Sequence, residues 1–248
     1  MPKFFVTGKQ IKENKIYVIG NDVNHIINVL RLDLEDKITI CNKETGENYL
    51  TKIIKKEQEE IICEVLEKIE NQKQENVEVT IFQGLPKFDK MELIIEKCTE
   101  LGAKEIAPVQ MERCVVKLDS KAIPKKIERW QKIAEAASKQ CKRNSILKVN
   151  YPVSIKDICD MIDRFDILFV PYENEKQKSF KEELQKIKKD NLRIGIVIGP
   201  EGGFHEKEIL ALEKAGAKVV TLGTRILRTE TVAIAMTSAI MYELGYLG

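Results

Sequence analysis

The sequence predicts an α/β protein with a mostly parallel sheet, preceded by a small N-terminal β-barrel. Two patterns of apolar residues support this fold class. Residues 1 to about 70 carry short β-branched runs separated by polar turns, whereas strand-like and helix-like segments alternate from residue 77 onward. Such alternation is typical of a parallel sheet with helices on both faces. We therefore expect two domains, 1–72 and 73–248, joined by the polar stretch NQKQEN at 71–76.

Four short runs build the predicted barrel, and each is rich in β-branched residues. They are KIYVIG, KITICN, YLTKII and EIICEVLEKI, with TGEN at 45–48 as the clearest hairpin turn. One short helix is predicted between the first two runs, because apolar residues recur there at helical spacing. These residues are Val23, Ile26, Ile27 and Leu30.

The remainder of the chain alternates between strands and amphipathic helices. The predicted strands are VEVTIFQGL, EIAPVQ, FDILFVPYE, LRIGIVIG and KVVTLG. The predicted helices are KFDKMELIIEKCTELGA closed by Gly102, a basic helix over 121–142, SFKEELQKIKK, and HEKEILALEKAGA closed by Gly216. A last helix begins near Thr229, and we expect it to be buried because TVAIAMTSAIMY is apolar nearly all round.

Composition excludes several classes of protein. Apolar residues make up 43% of the 248 residues, and no apolar run has the length of a membrane span. The N-terminus MPKFFVTGKQIKENK carries charges where a signal peptide needs an apolar centre, which predicts a cytoplasmic protein without membrane association. The six cysteines form no CxxC pair and the two histidines are far apart, so we expect reduced, mostly buried thiols and no metal.

Positive charge is concentrated in one segment. Residues 113–148 contain eleven basic and three acidic residues, a net +8, while the chain as a whole is +2 and the rest is therefore −6. A basic concentration of this size is typical of a surface that binds a polyanion such as nucleic acid. A solvated helix face would have the same composition.

Three strand ends are expected to meet at one crevice: VPYENE at 170–175, IGPEGGF at 198–204 and LGTRILRTET at 222–231. The middle loop has neither the GxGxxG pattern of dinucleotide folds nor the GK[ST] ending of a P-loop. Its glycines allow a ligand to approach the backbone closely, but Glu201 would repel a pyrophosphate. A nucleoside without phosphates, such as S-adenosylmethionine, fits better. Alternatively, Glu201 faces solvent or caps the next helix.

Two arginines precede the last predicted helix. Arg225 and Arg228 lie three residues apart, where the helix N-terminus should face the crevice. They require an anionic partner, which is either a ligand or an internal carboxylate such as Glu230. Surface arginines paired with a glutamate would be the simpler interpretation.

Taken in order, GLPKFDKMELIIEKCTELG, the basic helix with EAASKQCKR, VIGPEGGF and LGTRILRTETVA closely resemble the RsmE family. These bacterial enzymes methylate N3 of a uridine in 16S rRNA and belong to the SPOUT class. The resemblance covers essentially the whole chain, including NHIINVLRL near the start. Val232 stands where Ala is usual, and QCKRNSILKV lacks the Gly and Pro common among relatives.

The resemblance implies a SPOUT methyltransferase domain with a C-terminal trefoil knot, a PUA-like N-terminal barrel that binds RNA, and a homodimer. It implies S-adenosylmethionine as the cofactor and 16S rRNA or the small ribosomal subunit as the partner. The expected cofactor-binding residues are Pro171, Glu173, Ile198, Gly199, Pro200, Glu201, Gly202, Gly203, Leu222, Gly223, Leu227, Arg228, Glu230 and Ala233. The expected RNA contacts are Arg31, Arg113, Lys139, Gln140, Lys142, Arg143 and Arg225.

The chemistry suggests roles for three catalytic candidates. Uridine N3 carries a proton and lies on the pairing edge, so the base must be unpaired and deprotonated before methylation. We expect Arg228 to stabilise the negative charge on the uracil oxygens, with Glu230, Glu201 or water taking the proton. Three other functions remain open for the chain as a whole: a related enzyme acting on another RNA, an RNA-binding module without catalysis, and a nicotinamide-dependent oxidoreductase.

Overall fold

The computed structural model describes residues 1–70, 76–187 and 191–247. Apart from Asn76, the predicted linker lies outside the described residues, and so does the predicted boundary between 72 and 73. The chain packs as two compact units. The N-terminal unit comprises Met1–Gln74 and Ser138–Ile146, and the C-terminal unit comprises Glu75–Ala137 and Leu147–Gly248. A short segment from the middle of the sequence therefore packs with the N-terminal residues.

The N-terminal unit is built on a six-stranded sheet. Its strands are β1 (Lys3–Val6), β2 (Ile11–Lys12), β3 (Lys15–Ile19), β4 (Lys37–Asn42), β5 (Asn48–Lys56) and β6 (Glu60–Ile69). The order is β1-β4-β5-β6-β3-β2, with β1 parallel to β4 and the other pairs antiparallel. The four predicted strands and the hairpin turn between β4 and β5 are confirmed. The very short β1 and β2 were not predicted, because two to four residues are too few to show an alternating pattern.

The predicted helix of the N-terminal unit is present but changes its pitch. It begins as α1 (Asn21–Asn24) and continues through a wider π-type turn over His25–Val29. Val23 and Ile26 are buried in the unit's core, whereas the side chain of Leu30 is 38% exposed. Leu30, the last of the four apolar residues at helical spacing, lies outside that core, because a π-type turn places more residues in each turn than the regular helical spacing assumes.

The C-terminal unit contains a second six-stranded sheet. Its strands are β7 (Val77–Gly84), β8 (Glu105–Val109), β9 (Lys148–Val149), β10 (Ile167–Pro171), β11 (Leu192–Ile198) and β12 (Lys218–Val220). The order is β12-β10-β11-β7-β8-β9, and each of these neighbouring pairs is parallel. The prediction of a mostly parallel sheet is confirmed. The two-residue β9 was not predicted.

Among the described residues, five helices connect these strands and a sixth follows β12: α2 (Lys90–Glu100), α3 (Ile123–Gln140), α4 (Ile155–Asp160), α5 (Phe180–Gln185), α6 (Glu206–Ala215) and α7 (Thr229–Glu243). Gly102 and Gly216 follow α2 and α6 with φ of +100° and +109°, which confirms the predicted ends of these two helices. Helix α4 was not predicted, although Ser154 and Asp157 form a capping box at its start. None of the helices in the described ranges is both long and apolar enough to cross a bilayer.

The last helix differs from its prediction. Ala233, Met236 and Ile240 of α7 are buried, but Tyr242 near its end is 69% exposed. Only one face of this apolar helix is covered within the chain, so the expectation of burial all round is wrong for the single chain. An apolar composition predicts that the surface of a helix is buried, but it does not indicate which neighbouring element or chain buries it.

Candidate functional site

The site lies at the carboxyl ends of three neighbouring strands of the C-terminal unit. Strands β12, β10 and β11 are adjacent in the parallel sheet, so the loops that follow them meet at one edge. These loops line a cavity of about 480 Å³. A cavity of this size accommodates a ligand as large as a nucleoside derivative. The prediction of one shared crevice is therefore confirmed.

Most of the expected cofactor-binding residues line this cavity. The lining members are Pro171, Glu173, Ile198, Gly199, Pro200, Glu201, Gly202, Gly203, Leu222, Gly223, Leu227 and Arg228. Ala233 is instead fully buried in α7. Glu230 is not among the lining residues, but its Oε2 lies 3.1 Å from Nζ of the lining residue Lys90.

The glycine loop is shaped by close packing. The backbone of Gly203 has φ of +68°, and its N–H donates to the carbonyl of Pro200 at 2.9 Å. A Cβ on Gly203 would lie 2.8 Å from Glu173 Oε1, and a Cβ on Gly202 would lie 3.0 Å from the backbone oxygen of Arg113. Side chains at these positions would therefore push Glu173 or Arg113 away from the loop.

A chain of buried hydrogen bonds fixes the loop to the helix behind it. Thr229 Oγ1 at the start of α7 donates to the Gly199 carbonyl at 2.7 Å. It accepts a hydrogen bond from Gln83 Nε2 at 2.8 Å. Gln83 is fully buried at the end of β7. Because Gln83 and Thr229 are buried, breaking this chain would leave unpaired polar groups in the core.

Glu201 points toward α2 rather than capping α6. Its Oε1 accepts a hydrogen bond from the Lys87 backbone N–H at 3.0 Å and lies 3.1 Å from Lys90 Nζ. The residue that caps α6 is His205, whose ring accepts from the Lys207 N–H. The alternative role of Glu201 as a helix cap is therefore wrong.

Lys90 joins two carboxylates at the cavity. Its Nζ lies 3.1 Å from Glu230 Oε2 as well as 3.1 Å from Glu201 Oε1. The hydrogen bond to Glu230 is the largest influence on the pKa of Lys90, and Glu201 adds to it. Together the two carboxylates raise this pKa against the lowering effect of burial, so Lys90 remains a cation. Burial acts to raise the pKa of Glu201, but the Lys87 N–H, its own N–H and Lys90 together lower it below its ordinary value. Sequence reasoning missed Lys90, because nothing in KFDKM indicates which carboxylates it reaches.

Both arginines of the third loop line the cavity. Arg225 and Arg228 are exposed, and Arg228 has extended backbone immediately before α7. Glu230 was a possible internal partner for them, but among the described residues its ion pair is with Lys90. The two guanidinium groups therefore present positive charge at the cavity.

The expected RNA contacts divide between the two units. Arg113 and Arg225 belong to the C-terminal unit, where Arg113 donates to the Gly202 carbonyl at 3.3 Å. The others belong to the N-terminal unit: Arg31, Lys139, Gln140, Lys142 and Arg143. Of these, Arg31, Gln140 and Lys142 are exposed and Arg143 is half-buried.

Lys139 is occupied within the N-terminal unit. Its Nζ lies 2.6 Å from Asp22 Oδ1 and 5.8 Å from the centre of the Phe4 ring. Its side chain is 26% exposed. These contacts hold Lys139 against α1 and β1 within the N-terminal unit, so Lys139 has less freedom to meet a phosphate than Lys142.

Asn144 fastens the rest of the 138–146 segment. Its Oδ1 accepts hydrogen bonds from Lys3 Nζ at 2.7 Å and from Asn48 Nδ2 at 2.9 Å. The Cys41 thiol donates to the Asn144 carbonyl at 3.4 Å. Lys3 is only 8% exposed, and burial lowers its pKa. Sequence reasoning missed this cluster, because its members are about a hundred residues apart.

The cysteines behave as core residues. All six thiols are free, and four of them are buried. Burial raises the pKa of Cys63 to about 11 and that of Cys98 to about 12. In the described parts of the chain, no three His, Cys, Asp or Glu side chains are grouped to hold a metal ion.

Comparisons with known proteins agree with this organisation. A family model described as an RNA methyltransferase domain matches residues 73–241, and one described as an RNA methyltransferase PUA domain matches residues 18–66. Ribosomal RNA small subunit methyltransferase E of Bacillus subtilis (strain 168) is 36% identical, over 98% of this chain and 97% of its own length. The Aquifex aeolicus protein of the same name is 30% identical, over 92% and 94%.

A solved structure extends the comparison to three dimensions. The crystal structure of a ribosomal RNA small subunit methyltransferase E from Neisseria gonorrhoeae, bound to S-adenosylmethionine, matches with a TM-score of 0.85. The two chains are 29% identical, and the match covers 98% of each. The similarity therefore includes both units and the cavity-lining loops.

Proposed function

This chain belongs to the ribosomal RNA small subunit methyltransferase E family, and from this premise we propose that it methylates N3 of a uridine in 16S rRNA. The activity is that of an S-adenosylmethionine-dependent rRNA (uridine-N3-)-methyltransferase. One observation supports it above the others: three adjacent parallel strands end in loops that combine glycines, carboxylates and arginines around one cavity.

The cavity suits S-adenosylmethionine in its chemistry. Gly199, Gly202 and Gly203 permit close backbone approach, while Glu173 and Glu201 offer acceptors for hydroxyl or ammonium groups. Carboxylates at these positions disfavour a pyrophosphate, which distinguishes the site from nucleotide-binding loops. Leu222, Gly223 and Leu227 would add contacts from the loop after β12. When bound, the cofactor supplies a methyl group on a positively charged sulfur.

The chain's own residues then have to activate the uracil. N3 becomes nucleophilic when it loses its proton, and the negative charge spreads onto the neighbouring carbonyl oxygens. Arg228 is exposed at the cavity and is our candidate for stabilising that charge. Glu201 is a poor base because its pKa is lowered, so the proton leaves to Glu230 or to water.

RNA would be held by basic residues of both units. Arg225 and Arg113 stand beside the cavity loops, and Arg31, Gln140, Lys142 and Arg143 provide contacts from the N-terminal unit. We assign Lys139 a mainly structural role, because Asp22 already occupies its ammonium group. Phosphate contacts of this kind position the RNA without reading its sequence.

We further propose a homodimer and a C-terminal trefoil knot, as the family resemblance implies. The half-exposed apolar helix α7 supports the homodimer, because a second copy would cover Tyr242 and its neighbours.

We retain the domain limits 1–72 and 73–248, with 138–146 as an addition to the first. A ribosomal substrate also implies a cytoplasmic location.

The direct test is transfer of labelled methyl from S-adenosylmethionine to small ribosomal subunits that lack the mark, followed by nucleoside mass spectrometry. We expect the label in 3-methyluridine. Label in another nucleoside would contradict the assigned atom. If the cofactor binds but neither subunits nor free 16S rRNA are labelled, the assigned substrate is wrong.

A further inference from the structure

Phe88 combines a strained backbone with an unusually exposed ring. Its φ is +55°, in the left-handed region, and 88% of the residue is exposed. Bulky residues rarely adopt this conformation, because Cβ approaches the neighbouring carbonyl oxygen. The ring gains little from burial in return. An outlier of this kind that no packing explains directs attention to function.

Phe88 stands next to the proposed catalytic cavity. The backbone N–H of Lys87, one residue earlier, donates to Glu201, and Lys90 pairs with both Glu201 and Glu230. Gly84 packs so closely on Pro200 that an added Cβ would lie 2.7 Å from the proline nitrogen. The segment from 84 to 90 is therefore held on the glycine loop at three points. Consecutive Cα atoms are about 3.8 Å apart, so the Phe88 ring is within reach of the cavity.

The surroundings favour a nucleic acid base as the partner of this ring. Arg225 and Arg228 line the cavity with exposed guanidinium groups, and Ile226 between them is 88% exposed. Aromatic rings beside cationic groups are the usual means of holding unpaired nucleotides, since every base has a face that stacks. Uridine N3 is accessible only when the base is unpaired.

We propose that Phe88 stacks on an unpaired base of the RNA substrate at the cavity. The proposal rests on the proposed function and adds a specificity residue to it. The left-handed backbone at residue 88 coincides with a residue that is 88% exposed. The backbone conformation that serves the RNA contact therefore lowers the stability of the free protein.

The decisive variant is Phe88→Gly, with Phe88→Tyr and Phe88→Leu as matched changes. Glycine relieves the backbone strain, so Tm should rise by roughly 2–4 °C. The same change should weaken binding of an unpaired oligoribonucleotide by about 5- to 100-fold, the equivalent of losing one stacked base. Phe88→Tyr should retain binding and Phe88→Leu should lose most of it. Affinity for S-adenosylmethionine should stay unchanged in all three.

Several results would overturn the proposal. If Phe88→Gly is stabilised and still binds the oligoribonucleotide as tightly as the wild type, the ring contacts no base. If Phe88→Gly changes the molar mass in solution, the ring belongs to a contact between copies of the chain. Binding is measured separately from methylation, so a wild type that makes no 3-methyluridine would refute the proposed function without deciding the role of Phe88.

Discussion

The C-terminal unit concentrates its functional residues, whereas the N-terminal unit collects them from distant segments. In the C-terminal unit, β12, β10 and β11 run parallel side by side, so their following loops meet at one cavity. In the N-terminal unit most neighbouring strands are antiparallel, and successive loops emerge at opposite ends. Apart from Arg31, its expected RNA contacts come instead from 138–146, a segment fastened to the rest of the unit by Asn144 and Lys139. In a parallel sheet, adjacent strands are enough to bring their following loops to one site. In the largely antiparallel sheet, specific contacts have to anchor the segment that carries the basic residues.

The largest expected effect breaks the chemistry of the C-terminal unit. Arg228→Ala should lower kcat for methylation by about 100- to 1,000-fold, because a group that stabilises developing negative charge is lost. Affinity for S-adenosylmethionine, measured by calorimetry, should change much less. Arg193→Ala is the control, since Arg193 lies near the amino end of β11 and pairs with Asp166. Wild-type turnover by Arg228→Ala would disprove the electrostatic role.

The next effect tests the anchoring contacts of the N-terminal unit. Asn144→Ala removes one of two acceptors from Lys3 and one of at least two from Asn48, both of which are nearly buried. The change should lower the free energy of unfolding by about 1–3 kcal/mol. RNA affinity should fall with it, while S-adenosylmethionine affinity is retained. Asn28→Ala, at an exposed position of the same unit, is the control. Denaturant titration measures the first quantity, and equal midpoints for the two variants would refute the anchoring role.

A smaller effect separates two lysines of the 138–146 segment. Lys142→Ala should reduce the salt dependence of RNA binding by about 0.7–0.9 in the slope of log K against log salt, the value of one phosphate contact. Lys139→Ala should leave that slope nearly unchanged but lower Tm, because it breaks the ion pair with Asp22. Fluorescence anisotropy at several salt concentrations gives the slopes. The reverse pattern would make Lys139 the phosphate contact.

The smallest effect concerns pH. The pKa of Glu201 in the folded protein is lower than its ordinary value of 4.5, so its contribution to stability is complete above about pH 4.5. That contribution is lost as the pH falls through the lower folded value. Glu201→Gln should therefore flatten the decline of Tm as the pH falls below about 4.5. Parallel Tm curves for the two proteins over this range would show that Glu201 is not stabilised in its charged form.

Sequence patterns predicted most elements but fewer of the contacts. The longer strands were found because they contain runs of apolar and β-branched residues, and α2 and α6 because Gly102 and Gly216 mark their ends. Helix α4 was missed despite its capping box, and the π-type turn that follows α1 was not indicated by the regular spacing of the apolar residues. Such errors arise where a short element depends on its neighbours more than on its own periodicity.

The sequence by itself determined the fold class, the alternation of strands and helices that builds a mostly parallel sheet, the family, and the loops that form the cavity. These follow from local periodicity and from motifs that lie within a few residues of one another. Only the tertiary structure decided that Lys90 bridges Glu201 and Glu230, that Asn144 receives the buried Lys3, and that Lys139 is already paired. Each of these contacts joins residues far apart in the chain, and their partners are chosen by distance and burial in the folded state.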